Sequence, residues 1–272
     1  MSAPDAVPAA AGPLEVVLRS PALVKRHDKD AWLALFTEDG VIEDPVGAGA
    51  YVGPARHSKF WDAFIAPNEV TFHARRDFRS GEVIVRYVTI SSVTPVSSEP
   101  FELNAIIEYV VRGERLASLR AFWEPRLAVS WHAQQGIRGL FGLSKHGLRM
   151  TGGLGLGSAL GFSRALVPEL SRDRGSALAE RLARAIGGAR AEWLALTRGA
   201  RVTIAGASGD LHDAERAWDA ALERAPRLRV EETIVAGGHL ACVLAGGDRA
   251  AAILARVEGE RIAELRLVWS IP

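Results

Sequence analysis

The chain has 272 residues, 48% of them hydrophobic and 24% charged, which fits a folded globular protein and excludes a mainly disordered one. A formal net charge of +1 provides no field that would gather nucleic acid. The single cysteine, Cys242, excludes an intrachain disulfide and a cysteine-rich metal site, which fits a reducing, cytoplasmic setting.

Residues 1–13, MSAPDAVPAAAGP, lack the basic and apolar regions of a signal peptide and read as a flexible arm. No uncharged apolar run is long enough to suggest a membrane span. Leu14–His27 carries apolar residues at helical spacing, and Pro21 inside it should kink or split the helix. Asp30–Phe36 is a second helical piece, followed by a short strand at Val41–Val46. Gly53-Pro54 opens a third helix, where proline suits the first turn, with Phe60, Trp61 and Phe64 on its inward side. Four strand-like stretches follow, at Val70–Phe78, Val83–Thr94, Phe101–Arg112 and Glu114–Trp123, with turns at Arg79-Ser80-Gly81 and Arg112-Gly113. Helices first and an antiparallel meander afterwards define an α+β unit. A bent sheet wrapped on three helices would leave a conical cavity.

Residues 125–168 contain no Asp or Glu but carry Arg126, Arg138, Lys145, Arg149 and Arg164, with His132 and His146. This segment reads either as an interdomain connector packing an apolar face on a sheet, or as a basic surface for peripheral membrane contact. Beyond it the sequence repeats itself. Ala31-Trp32-Leu33-Ala34-Leu35 returns as Glu192-Trp193-Leu194-Ala195-Leu196, and Phe60-Trp61-Asp62-Ala63 as Ala217-Trp218-Asp219-Ala220. GERLASLRAFW at Gly113–Trp123 returns as GERIAELRLVW at Gly259–Trp269. Three matches in the same order point to two copies of one unit. The expected organisation is an arm at 1–13, one unit at 14–125, a basic glycine-rich helical connector at 126–175 and a degenerate second unit at 176–272. The expected architecture is α+β, with two tandem cone-shaped units, each a bent antiparallel sheet wrapped on about three helices.

The stretch Ala34-Leu35-Phe36-Thr37-Glu38-Asp39-Gly40-Val41-Ile42-Glu43-Asp44-Pro45-Val46-Gly47 resembles the ketosteroid isomerase family, within the nuclear transport factor 2-like and SnoaL-like group. The resemblance runs on to Arg56–Trp61, resumes at Ser118–Trp123, and covers about residues 14–125. It implies that Asp44 is the catalytic base, which lifts a proton beside a carbonyl and returns it further along a dienolate. The chemistry is reasonable from first principles, since a carboxylate projecting into an apolar cavity is partly desolvated and gains proton affinity. The bland reading of Asp44 is a strand-end turn residue.

The same resemblance implies that the family's two oxyanion donors, a tyrosine and a protonated aspartic acid, are replaced here by Ser20 and Ile107. The supporting tyrosine of the third helix becomes Trp61. Tyr109 shares a strand face with Ile107, and Trp123 falls at a pocket-lining position, so both are candidate substitute donors. Ser20, Trp61, His73 and Tyr87 are further candidates, and Asn104 should face away from the pocket unless a bulge intervenes. In the second copy Ala205-Gly206 falls where Asp44-Pro45 stands, so no acid is expected there.

The expected ligand is a hydrophobic carbonyl compound, a steroid or polyketide, turned over by an isomerase- or cyclase-type reaction. The alternative is a non-catalytic hydrophobic-ligand-binding protein or a protein-interaction module of the same fold. The histidines lack metal-ligand spacing, and neither a metal nor a cofactor is expected. The second unit could cover the first as an intramolecular pseudo-dimer in a monomer, with a homodimer as the other arrangement.

Overall fold

The structure is a computed structural model and describes residues 12–94, 97–139, 144, 156–167, 169–205, 214–222 and 228–270. The first unit begins with α1 (Pro13–Lys25), α2 (Lys29–Ala34), β1 (Phe36–Glu43), β2 (Ala50–Val52) and α3 (Pro54–Phe60). The α3 helix runs on into a π-helical turn at Trp61–Ile65. The strands β3 (Glu69–Ser80), β4 (Val83–Thr94), β5 (Ser97–Arg112) and β6 (Arg115–Phe122) complete it. The sheet order is β2-β1-β6-β5-β4-β3, antiparallel throughout except for the parallel pair β1 and β6.

Two expectations about this unit are corrected. Pro21 does not split α1: Val16, Val17, Leu23 and Val24 on both sides of it are buried, and this packing carries the helix past the missing N–H. The first strand starts at Phe36 rather than Val41, and an irregularity between Phe36 and Val41 accommodates Glu38-Asp39-Gly40 within it. Those polar residues resemble a turn because the strand bulges there.

The connector contributes α4 (Pro125–Gln134) and α5 (Leu156–Leu166). The second unit holds α6 (Arg172–Ile186), α7 (Arg190–Thr197), β7 (Arg201–Ala205), α8 (Ala214–Leu222), β8 (Arg229–Ala236), β9 (His239–Gly246), β10 (Arg249–Glu258) and β11 (Arg261–Trp269). Its sheet order is β7-β11-β10-β9-β8, again antiparallel with one parallel pair, β7 and β11. This is the first unit's order without β2. The repeated GER turns adopt the same left-handed glycine conformation, with φ 63° at Gly113 and 59° at Gly259.

Each sheet buries its inner face under its own helices, forming two separate cores. A third core lies between the sheets, where Val46, Phe78, Val85, Tyr87, Ile106 and Phe122 meet Ile234, Ala241, Val243, Ala250, Ala252, Leu254 and Val268. The outer faces are therefore packed back to back, and alternation along each strand sends one set of side chains to each core. Polar ties cross the same interface. Glu108, 3% exposed, accepts hydrogen bonds from Arg120 of its own sheet at 3.1 Å and from Arg266 of the other at 2.9 Å. Glu232 accepts from Tyr87 at 3.1 Å and from Asn104. Asn104 thus faces away from the helices, as its strand position predicts. Tyr87 does so too, which removes it from the candidate donors. His73 is exposed on β3 and is also removed.

Candidate functional site

Asp44 is the first residue beyond β1, and the chain is pinned on either side of it. Glu43 accepts from Arg120 Nε at 2.6 Å, and the Val46 N–H donates to the Ala121 carbonyl at 2.8 Å. The Asp44–Pro45 peptide bond is cis. Alternation from Ile42, which is fully buried under the helices, and Glu43, which faces outward to Arg120, turns Asp44 inward. It emerges beside Ala121 and Ile107, its neighbours across β6 and β5.

Asp44 opens onto a cavity of about 240 Å³ between the inner face of the sheet and the helices. The walls are largely apolar: Phe60, Phe64 and Ile65 from the α3 region, Val70 and Phe72 from β3, Ile90 from β4, Leu103 and Ile107 from β5. The carboxylate touches open space on one edge but is otherwise enclosed by protein. Burial therefore pushes its pKa up to about 6, and a hydrogen bond from Trp123 Nε1 to Oδ1 at 2.6 Å acts in the opposite direction.

Four of the five expected binding residues line this cavity with Asp44: Ser20, Ile107, Tyr109 and Trp123. Ser20 is 4% exposed and its Oγ accepts from Trp32 Nε1 at 3.0 Å, leaving the Ser20 hydroxyl proton to be donated elsewhere. Tyr109 is 3% exposed, and burial holds its hydroxyl protonated, with the nearby Arg86 charge pulling the other way. Arg86 is itself buried on the inner face of the sheet and paired to Asp77 at 2.8 Å. Ile107 offers only apolar surface.

The fifth, Trp61, is corrected: it is 3% exposed and lies outside the cavity lining, its ring 5.2 Å from that of Trp32 in the helix-side core. The reason is the π-turn that starts at Trp61. One extra residue per turn changes which side chains face inward, so Phe60, Phe64 and Ile65 line the cavity instead.

Sequence reasoning missed a whole wall. Ala128, Val129 and His132 of α4 and Phe162 of α5 line the cavity as well, and the Phe162 ring lies 6.4 Å from that of Trp123. The connector's described helices therefore pack an apolar face on the first unit. The sequence signal was the acid-free, apolar composition of 125–168, which fixed no direction. Gly161 allows the approach, because a Cβ there would stand 1.8 Å from the Ala48 carbonyl oxygen in the loop after Asp44. Lys145, His146 and Arg149, on which the membrane-surface reading also drew, lie outside the described residues.

In the second unit, strand register corrects the expected base position by one residue. Glu43 pairs with Arg120, and Thr203 pairs with Arg266, the repeat counterpart of Arg120. Asp44 therefore corresponds to Ile204, which is fully buried among Leu182, Trp193, Trp218 and Leu244. The counterpart of Trp123 is Trp269, whose Nε1 is buried without a hydrogen-bond partner among the described residues. Gly206–Gly209 lie outside the described residues. Among the described residues no group of three His, Cys, Asp or Glu is placed to hold a metal ion, and no helix is long and apolar enough to cross a membrane.

A cone of sheet and helices with one acid at its inner end is the arrangement of an acid–base or ligand-binding pocket. Residues 17–119, within the first unit, match the SnoaL-like domain model. No curated protein sequence matches the chain significantly. Similar solved structures include RV0760c from Mycobacterium tuberculosis, with 25% identity and a TM-score of 0.41 over 44% of this chain and 96% of that one. The Delta 5-3-ketosteroid isomerase from Mycobacterium sp. shows 24% identity and a TM-score of 0.39 over 43% and 97%. A computationally designed 17-OHP binder shows 23% identity and a TM-score of 0.40 over 43% and 97%. Each spans less than half of this chain.

Proposed function

We propose that the first unit is an acid–base enzyme of ketosteroid isomerase or polyketide cyclase type, in which Asp44 moves a proton on a hydrophobic carbonyl compound. One observation carries the reading: a carboxylate at the inner end of an apolar cavity, with its pKa raised by burial to about 6. Such a base is mostly ionised at neutral pH yet holds a proton far better than an exposed aspartate, which suits abstraction from carbon. The proton leaves the carbon beside the carbonyl for Asp44, and the electron pair moves to the carbonyl oxygen. Asp44 then returns the proton to another carbon of the same conjugated system, so no co-reactant is consumed.

The developing oxyanion needs donors. Ser20 and Tyr109 both line the cavity, and the Trp32 indole that donates to Ser20 polarises that hydroxyl toward giving its own proton. Trp123 is engaged with Asp44, which fixes the carboxylate and leaves Oδ2 for the substrate. A second reading, a binding pocket without turnover, draws support from Ile107 at the place where the resemblance puts an acidic donor. The second unit acts in either case as a non-catalytic companion.

The test follows deuterium exchange at the carbon beside the ketone of androst-5-en-3-one, together with isomerisation to the conjugated enone. Turnover by the wild-type chain should rise with pH through about 6 and fall by about a thousandfold in Asp44→Asn. Binding without exchange in the wild type overturns the catalytic reading in favour of the second one.

A further inference from the structure

Asp44 gives a task to one end of the cavity, while the opposite end carries polar atoms with none. His132 Nδ1 lies 2.8 Å from the Ala128 carbonyl oxygen. A carbonyl can only accept, so Nδ1 carries the hydrogen, and in the neutral imidazole Nε2 is the nitrogen with the lone pair. The Trp131 ring meets the imidazole edge-on at 5.0 Å and packs on Phe101 at 5.4 Å, which seats His132 at the Phe101 end of the cavity. Ser92, the cross-strand partner of Phe101, lines the same end, as does Thr94. Thr94 Oγ1 is shielded and has no partner among the described residues, so rotating it toward the cavity breaks no hydrogen bond to any of them.

Phe101 stands six residue steps along β5 from Ile107, the neighbour of Asp44, which is about 20 Å of strand before curvature shortens the direct path. Between the two ends Ile90 and Leu103 form an apolar belt without donors or acceptors. Along this strand wall of the cavity, polar groups therefore stand near the two ends with apolar side chains between them.

We propose that His132, with Ser92 and Thr94, forms a second polar subsite that binds a hydroxyl group on the end of the ligand remote from its carbonyl. The proposal rests on the proposed function for the carbonyl end. It narrows the ligand class to elongated, rigid, apolar molecules with a carbonyl at one end and a hydroxyl at the other. The ligand hydroxyl donates to His132 Nε2, and its oxygen accepts from Ser92 or Thr94. His132 lies outside the SnoaL-like domain at 17–119, so the connector would supply selectivity to a site whose base lies within that domain.

The experiment measures dissociation constants, from quenching of tryptophan fluorescence, for two probes that differ in one group. These are androst-4-en-3-one and its 17β-hydroxy derivative. The wild type should bind the hydroxylated probe about tenfold more tightly. His132→Leu should bring the ratio to about one, while His132→Gln, which keeps an acceptor, should retain part of it. Should the leucine variant fail to fold, the Ser92→Ala, Thr94→Val double variant reads the same ratio and should lower it. Equal binding of the probes by wild type, or an unchanged ratio in His132→Leu, overturns the subsite. Deuterium exchange separates the two readings. Asp44-dependent exchange without hydroxyl discrimination overturns the subsite alone, and discrimination without exchange overturns the catalytic reading alone. Absence of binding by both probes overturns both.

Discussion

The two units share strand order, a repeated turn and a buried tryptophan on the second helix of each, yet the first borders a cavity while the described residues of the second form one continuous apolar core. In the first, Asp44 accepts the Trp123 indole and opens onto a cavity. In the second, Ile204 occupies the equivalent place inside a continuous apolar core, and the Trp269 indole is left without an acceptor among the described residues. A carboxylate and a close-packed core are mutually exclusive at this position, because burying the charge without space, solvent or a paired cation is too costly. Once the acid is absent, filling the cone with side chains gains dispersion and apolar burial.

The largest stability contrast should come from truncating side chains on the two inner faces. Trp193→Ala, in the solid core, should cost about 3–5 kcal/mol. Ile90→Ala, on the wall of the existing cavity, should cost less than about 2 kcal/mol, since it removes fewer contacts. Chemical denaturation of both variants checks this, and equal losses would mean that the first unit is as tightly packed as the second.

The next effect is pH-dependent. Burial raises Asp44 from 3.8 to about 6, so the native chain holds this proton more tightly than the unfolded chain does. Its contribution to stability is full below about pH 4 and is lost as the pH rises through 6. Asp44→Asn should therefore stabilise the protein above pH 6 by up to roughly 3 kcal/mol and have almost no effect at pH 4. Ile204→Asn should destabilise across the same range without that dependence. Melting curves at pH 4 and pH 8 distinguish these outcomes.

The smallest effect concerns the paired indoles. Trp123→Phe removes a hydrogen bond that favours the ionised carboxylate, and the pH midpoint of turnover should move upward by about one unit. Trp269→Phe removes a donor that lacks a partner among the described residues, and stability should hold or rise by about 1 kcal/mol. A marked loss of stability in Trp269→Phe would show that this indole does have a partner.

Much of the first unit was legible because its signals are local. The β4 strand was bounded correctly from alternation and turn residues, and Gly53-Pro54 marked the start of α3. The resemblance of its surrounding motif singles out Asp44, alignment to the same family singles out Ser20, Ile107 and Trp123, and strand alternation from Ile107 adds Tyr109; all five line the cavity. Trp61 was misplaced because a π-turn leaves no mark in hydrophobic spacing. Tyr87 was misplaced because its strand packs apolar side chains on both faces, so burial did not reveal which face it occupied. His132 and Phe162 were missed as wall residues because their position depends on how α4 and α5 fold back over the sheet. That contact is governed at one point by the absence of a side chain, at Gly161.

The back-to-back sheets also have a consequence for dilution. A separate subunit covering the outer face of the first sheet would leave it as concentration fell, exposing Phe78, Val85, Ile106 and Phe122 to water. Here the cover is part of the same chain, and tethering of this kind corresponds to an effective concentration of about millimolar or more, whatever the bulk value. The face stays covered in a single isolated molecule, and the cavity on the other side of that sheet keeps its wall without help from a second chain.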